Sequence, residues 1–253
     1  MLKKTILLSS LAMLMVTFSF SQGAKPAPTA GSAAASANDT VSYHVKLYQN
    51  AMVFGDLLVA KEAMFNLLTQ NPGRIDYIDS LARLYYSLGS TQQALLSARI
   101  VLEKQADNEA MLEITGICYD ALGSKKEALD AYEKLYAKSK NVGSLYQIAV
   151  LQYSLQRVGE CTLTCDNILK DPAAATSKIN ISYDQYNGQD VPISAAIHNL
   201  KGVMAKDAKD DKQATTHFEE ALKVFPEFEL AKNNLDYIKN PPKEEESKDK
   251  KKK

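Results

Sequence analysis

Three observations predict an all-α repeat protein for this 253-residue chain. Gly55, Gly89 and Gly123 recur every 34 residues, and Ala60, Ala94 and Ala128 keep the same interval, as do Tyr85, Tyr119 and Tyr153. A fixed period of that length marks a helix-turn-helix unit that stacks on its neighbours. Glycine and proline are scarce, 11 and 8 residues, which leaves little material for the many tight turns of an all-β fold.

Local chemistry justifies each unit in turn. One helix precedes each glycine, because glycine just past the last turn takes up the left-handed conformation that ends a helix. A second helix follows, with Asp56, Ser90 and Ser124 placed to cap it. Small residues stand where the paired helices cross closely: Ala82, Gly116 and Gly202 on the first, Ala60, Ala94, Ala128 and Ala214 on the second. Larger side chains fill the space around them, among them Leu47, Leu81, Tyr85, Tyr119, Tyr132, Tyr153 and Phe218. Pro72 and Pro226 stop second helices, since proline has no N–H to continue the ladder.

These residues and their spacing resemble the tetratricopeptide repeat (TPR) family. The resemblance implies a right-handed α-solenoid of about five helix-turn-helix units over 41–74, 75–108, 109–142, 143–176 and 195–228, within a single TPR domain spanning 41–240. A capping helix over 228–240 covers the last repeat. The bulky residue opening the family's first helix is here His44, Ile78, Leu112, Tyr146 and His198. The fourth unit departs furthest, with Arg157 in the glycine's place and Thr162 or Cys161 in the alanine's. In the fifth, Lys201 replaces an apolar residue and Lys209 the turn glycine.

Eighteen extra residues, 177–194, separate the fourth and fifth units. Ile179, Ile181 and Tyr183 alternate with polar residues and Asn187-Gly188 signals a turn, which predicts a small β-hairpin. The expected turn is 187–189, pairing Tyr183 with Ile193 and Gln185 with Val191. An isolated hairpin is marginal in water, so its apolar face should pack on the solenoid or on a partner.

The ends read as address, tether and tail. Lys3 and Lys4, the apolar run from Ile6 to Phe18 and Ser19-Phe20-Ser21 match a secretory signal over 1–21, too short an apolar run to span a bilayer. Its removal implies an exported protein, periplasmic or secreted, with no transmembrane segment afterwards. The 22–40 stretch holds seven alanines, two prolines and no large apolar side chain, and is expected to be a flexible linker. The 241–253 tail carries six lysines against four acids and is expected to be disordered.

Charge narrows the function. The chain holds 30 basic and 30 acidic residues, and 41–240 carries 21 Lys and Arg against 25 Asp and Glu, a net of −4. A nucleic-acid partner would require a clustered cationic surface, so none is expected. No metalloprotease helix, phosphate-cradling glycine loop or nucleophile elbow occurs, so no enzyme activity and no cofactor are expected. His44, His198 and His217 are scattered and read as packing or surface residues rather than metal ligands. Cys161 and Cys165, four apart on a helix, cannot bridge without unwinding it, and read with Cys118 as buried thiols; a disulfide involving Cys118 stands as the alternative.

In the family resembled here, ligands meet the first helix of each pair on the concave face. That implies a groove formed by Gln49, Val53, Asp76, Asp79, Arg83, Tyr86, Glu113, Ile117, Asp120, Gln147, Leu151, Asn199, Val203 and Lys206. The mixture of acids, one arginine, one tyrosine and aliphatic residues suits a peptide or protein segment. Val45, Ser80 and Ala110 occupy places where the family's carboxylate clamp has other residues, which rejects the heat-shock co-chaperone role. The expected function is a non-enzymatic exported scaffold or adaptor. A self-associating structural solenoid and a thiol-dependent envelope enzyme are the alternatives.

Overall fold

The computed structural model describes residues 35–241. The signal 1–21, the greater part of the 22–40 linker and all but the first residue of the tail lie outside the described residues. Twelve helices and one two-stranded antiparallel sheet form among the described residues, and the chain divides into two compact units between Leu155 and Gln156.

The N-terminal unit contains three helix pairs and one further helix: α1 (Ala35–Val53) with α2 (Leu57–Gln70), α3 (Ile75–Ser87) with α4 (Thr91–Lys104), α5 (Glu109–Ala121) with α6 (Lys125–Ser139), then α7 (Val142–Ser154). Helix α1 begins at Ala35, six residues inside the expected linker. Alanine is the strongest helix former, and the 35–40 stretch holds two of them ahead of the apolar-periodic part.

The periodic glycines do what the spacing predicts. Gly55, Gly89 and Gly123 have φ of 71°, 68° and 79°, and behind each the next amide reaches back to the helix: Asp56 N to Ala51 O at 2.8 Å, Ser90 N to Tyr85 O at 2.8 Å, Ser124 N to Tyr119 O at 2.9 Å. Those bonds satisfy carbonyls the helix end leaves open. Asp56 also caps α2, its Oδ1 accepting from Val59 N at 3.1 Å, whereas Ser90 and Ser124 make no side-chain cap.

Three apolar layers stack along this unit. Ala51, Ala60, Met64, Leu67, Leu81 and Leu84 form the first. Ala82, Ala94, Ala98, Val101, Met111, Ile114 and Cys118 form the second, and Leu112, Ala128, Leu129, Tyr132, Leu135, Ile148 and Leu151 the third.

The third unit runs one residue short, so the fourth repeat starts one residue early. Four residues link α2 to α3 and α4 to α5, but two link α6 to α7, where Lys140 turns the chain with φ 51°. Asn141 therefore caps α7 where Asn108 caps α5, 33 residues earlier, and Gln156 at φ 60° stands where Gly123 stood. The register assigned to this repeat from the 34-residue period is displaced by one. Cys161, not Thr162, takes the alanine's place, 0% exposed.

The C-terminal unit comprises α8 (Val158–Lys170), α9 (Ala173–Thr176), β1 (Lys178–Ser182), β2 (Gly188–Pro192), α10 (Ile193–Asp207), α11 (Asp211–Val224) and α12 (Glu229–Lys239). Helices α10 and α11 form its repeat, turning at Lys209 with φ 64° where the family has glycine. The hairpin exists, but its register differs from the expected one. Ile179 pairs with Val191 and Ser182 with Gly188. Asp184 decides this: its carboxylate accepts from Tyr186 N at 2.7 Å and Asn187 N at 2.8 Å, so the turn forms ahead of Asn187-Gly188. Ile193 is then free to open α10 instead of extending the strand.

The hairpin packs on its own chain. Val191 is fully buried, and Gln189 holds the start of α12, its amide donating to Glu227 O and its Oε1 accepting from Glu229 N at 3.1 Å.

Close crossing of the paired helices explains the small residues. A Cβ on Gly116 would stand 2.8 Å from Tyr132 Cε2, and one on Gly202 would stand 2.6 Å from Phe218 Cδ1. Phe218 is 1% exposed and has nowhere to retreat. Gly202→Ala is therefore expected to cost about 1–3 kcal/mol, read as a lowered midpoint in chemical denaturation; an unchanged midpoint would show that the crossing tolerates a methyl group.

Candidate functional site

Helix α3 places Asp76, Asp79, Arg83 and Tyr86 at spacings of three, four and three, which puts them on one face. Glu113 on α5 faces the same region, as its electrostatic coupling to both Arg83 and Tyr86 shows. Three of the four α3 residues are held by ion pairs. Asp76 forms an exposed pair with Arg74 at 2.5 Å. Asp79 accepts from Arg83 Nε at 2.6 Å and from Asn108 Nδ2 at 3.1 Å, which ties α3 to the cap of α5. Arg83 thus keeps one edge of its guanidinium engaged, with the side chain 39% exposed.

Glu113 is the unusual member. It is half-buried, and among the described residues none donates a hydrogen bond to it or pairs with it. Burial pushes its carboxyl up to about 7, with the Arg83 charge pulling back only in part. Around it, the Tyr86 hydroxyl is raised by burial and then by the Glu113 charge. Tyr132 beneath it is raised further, by burial first and then by the charges of Glu113 and Asp120. A carboxylate without a donor beside a guanidinium with spare N–H groups is arranged to accept from, and donate to, one polar segment.

The other expected groove residues fall into distinct environments. Gln49 is exposed and Val53 is 79% exposed. Ile117 packs against the third apolar layer. Asp120 is held by Lys125 at 2.5 Å across the α5–α6 turn. Leu151, 2% exposed, belongs to the core rather than to a groove, and Gln147 is half-buried. Both were displaced by the one-residue shortening: at the 33-residue offset the counterparts of Glu113 and Ile117 are Tyr146 and Val150.

Asn199, Val203 and Lys206 lie in the C-terminal unit, where the capping helix occupies their face. Asn199, 7% exposed, accepts from Asn234 of α12 at 2.9 Å, and Lys206 pairs with Asp211 at 2.7 Å and sits over the Tyr237 ring. Asn199 therefore is not open to a ligand, and the expected residues that gather on the α3–α5 face are Asp79, Arg83, Tyr86 and Glu113. Asn108 was not expected in it. Its only sequence signal is its place just before α5, which marks a cap and not a bridge to Asp79.

All three cysteines are buried and none is in a disulfide: Cys161 and Cys165 are unbridged as their spacing expects, and Cys118 is not joined to either. Among the described residues, no helix is long and apolar enough to cross a membrane, and no three His, Cys, Asp or Glu side chains are grouped to hold a metal ion.

No protein-family model matches this chain, and no curated protein matches it in sequence. Solved structures do resemble it in three dimensions. MamA aligns with a TM-score of 0.59 at 13% identity over 81% of this chain and 97% of that one. A tetratricopeptide repeat protein from Parabacteroides merdae aligns at 0.63 and 17% over 79% and 72%. YrrB, a TPR protein with an unusual peptide-binding site, aligns at 0.61 and 12% over 79% and 98%. The fold is the tetratricopeptide repeat fold.

Glu113 gives the site a pH signature in stability. Its folded-state value lies above the ordinary carboxylate value, so the stability linked to it is present in acid and lost as pH rises through about 7. Glu113→Gln removes that loss. Its Tm is expected to exceed the parent's by roughly 2–6 °C near pH 8.5 and to match it near pH 5, as read by scanning fluorimetry across that range.

Proposed function

We propose that the protein is a non-enzymatic, exported scaffold or adaptor that holds a peptide or protein segment against the α3–α5 face. The observation that carries this reading is Glu113: a half-buried carboxylate that no described residue hydrogen-bonds, on the same face as Arg83 and Tyr86. Its oxygens are not sealed from solvent, so a partner that covers them must supply a donor in place of water. A segment presenting a lysine, arginine or amide N–H to Glu113, and an acceptor to Arg83, satisfies both. Tyr86 adds a rigid aromatic surface of the type that anchors interfaces. Peptide binding by YrrB, a protein of the same fold, supports this class of partner. Export rests on the basic, apolar and small-residue pattern of residues 1–21.

The test is a photo-crosslinking amino acid in place of Tyr86, in the native organism, with the same probe at the exposed Leu96 of α4 as reference. A discrete adduct is expected at position 86, and Glu113→Lys is expected to reduce it by roughly 10-fold or more, the size of losing a charge-assisted contact. Identical adducts at both positions, or an adduct indifferent to Glu113→Lys, would defeat the proposal.

One observation favours a second reading, a self-associating solenoid. Phe65, Leu96 and Ile100, 44%, 61% and 36% exposed, rim an apolar recess of about 210 Å³ between α2 and α4. Light scattering over a concentration range separates the two: dimerisation abolished by Leu96→Glu supports self-association, and a monomer throughout removes it.

A further inference from the structure

The C-terminal unit brings three sulfur atoms together. Cys161 Sγ stands 3.9 Å from Cys165 Sγ and 3.5 Å from Met204 Sδ. The two cysteines lie one turn apart on α8 and are 0% exposed, while Met204 reaches across from α10 and is half-buried, so it forms the open side of the cluster. Three sulfurs bound to one metal ion at about 2.3 Å stand about 4.0 Å apart in a plane and about 3.8 Å apart on a tetrahedron. The two separations from Cys161 Sγ, 3.9 and 3.5 Å, are close to these values with both helices intact.

We propose that Cys161, Cys165 and Met204 form a binding site for a soft monovalent cation, Cu(I). Two thiolates and a thioether are the ligand set that selects Cu(I) over the harder divalent ions. Among the described residues, no third histidine, cysteine or carboxylate is grouped with them, and Zn(II) needs four such donors in a closed site. The surroundings fit the charge change. Binding converts Cu(I) and two thiols into a bis-thiolate complex of net charge −1 and releases two protons, with copper remaining Cu(I) and no electron transferred. The Lys201 ammonium, 2.6 Å from Asp166 Oδ1, faces Cys165 and offsets the new negative charge. Helix α8 also protects the pair: a disulfide needs sulfurs about 2.05 Å apart, which two positions one helical turn apart reach only by unwinding.

The experiment is anaerobic titration of the reduced full chain with Cu(I) in competition with a colourimetric Cu(I) chelator, and in parallel with Zn(II). The expected result is one Cu(I) per chain withheld from the chelator, two protons released, and no comparable Zn(II) binding. Cys161→Ala and Cys165→Ala are each expected to lower Cu(I) affinity by ~100-fold, and Met204→Leu by ~10-fold. Cys118→Ala, in the other unit, should change nothing. Cu(I) retained in the Cys161→Ala/Cys165→Ala double variant, or Zn(II) held as firmly as Cu(I), would overturn the site. Should the cysteine variants fail to fold, Met204→Leu decides: it keeps both thiols and nearly the same volume, and an unchanged Cu(I) affinity would eliminate the three-sulfur site.

Discussion

The close crossing of paired helices governs this structure. Where Gly116 meets the Tyr132 ring and Gly202 meets Phe218, no room exists for even one methyl group, and Ala60, Ala94, Ala128 and Ala214 are all fully buried. A crossing that tight fixes which face of each first helix turns inward. The remaining face is then determined, and with it the placing of Asp79, Arg83 and Tyr86 on α3 and of Glu113 on α5. Tyr132 serves both ends of this relation, packing into the gap at Gly116 while its hydroxyl lies within electrostatic reach of Glu113. Packing and site are therefore one arrangement. A change that loosens the α5–α6 crossing also moves the floor beneath the carboxylate.

Most of the architecture was legible because it rests on short-range rules. The left-handed glycines, the small crossing residues and the capping helix all follow from steric limits that one residue type satisfies. The parts that were not legible depend on relations the period cannot express. A two-residue link after α6 shifted the fourth repeat by one, and a shift of one residue turns a helix by about 100°, which moved Leu151 from an expected groove to the core. The hairpin register followed an aspartate, Asp184, whose carboxylate captured two backbone amides ahead of the stronger-looking Asn187-Gly188 signal.

The site was legible to the same extent. Its α3 members share a face through spacing alone, so they could be named from the chain. Glu113 could be named too, but not its burial, because desolvation depends on the Tyr86 and Tyr132 rings that other helices bring over it. Asn199 illustrates the converse. It occupies the position equivalent to Glu113, 86 residues later, and is closed off by Asn234 of the capping helix. Equivalent places in the repeat thus have opposite fates, one left without a donor and one satisfied within the fold.

The departures from the repeat pattern are themselves ordered. Lys201 stands where an apolar residue belongs, Cys161 where alanine belongs, and both lie at the junction of α8 and α10. A lysine with only 20% of its side chain exposed costs desolvation energy that its partner Asp166 offsets, so the pair persists without help from the repeat's own packing. Cysteine at the alanine position stays small and fully buried while adding a sulfur. The pattern is thus broken in a way that preserves shape and changes chemistry. Locally inconsistent residues that leave packing intact are the ones a fold can spare for binding, and in this chain they gather around a pair of thiols and a thioether.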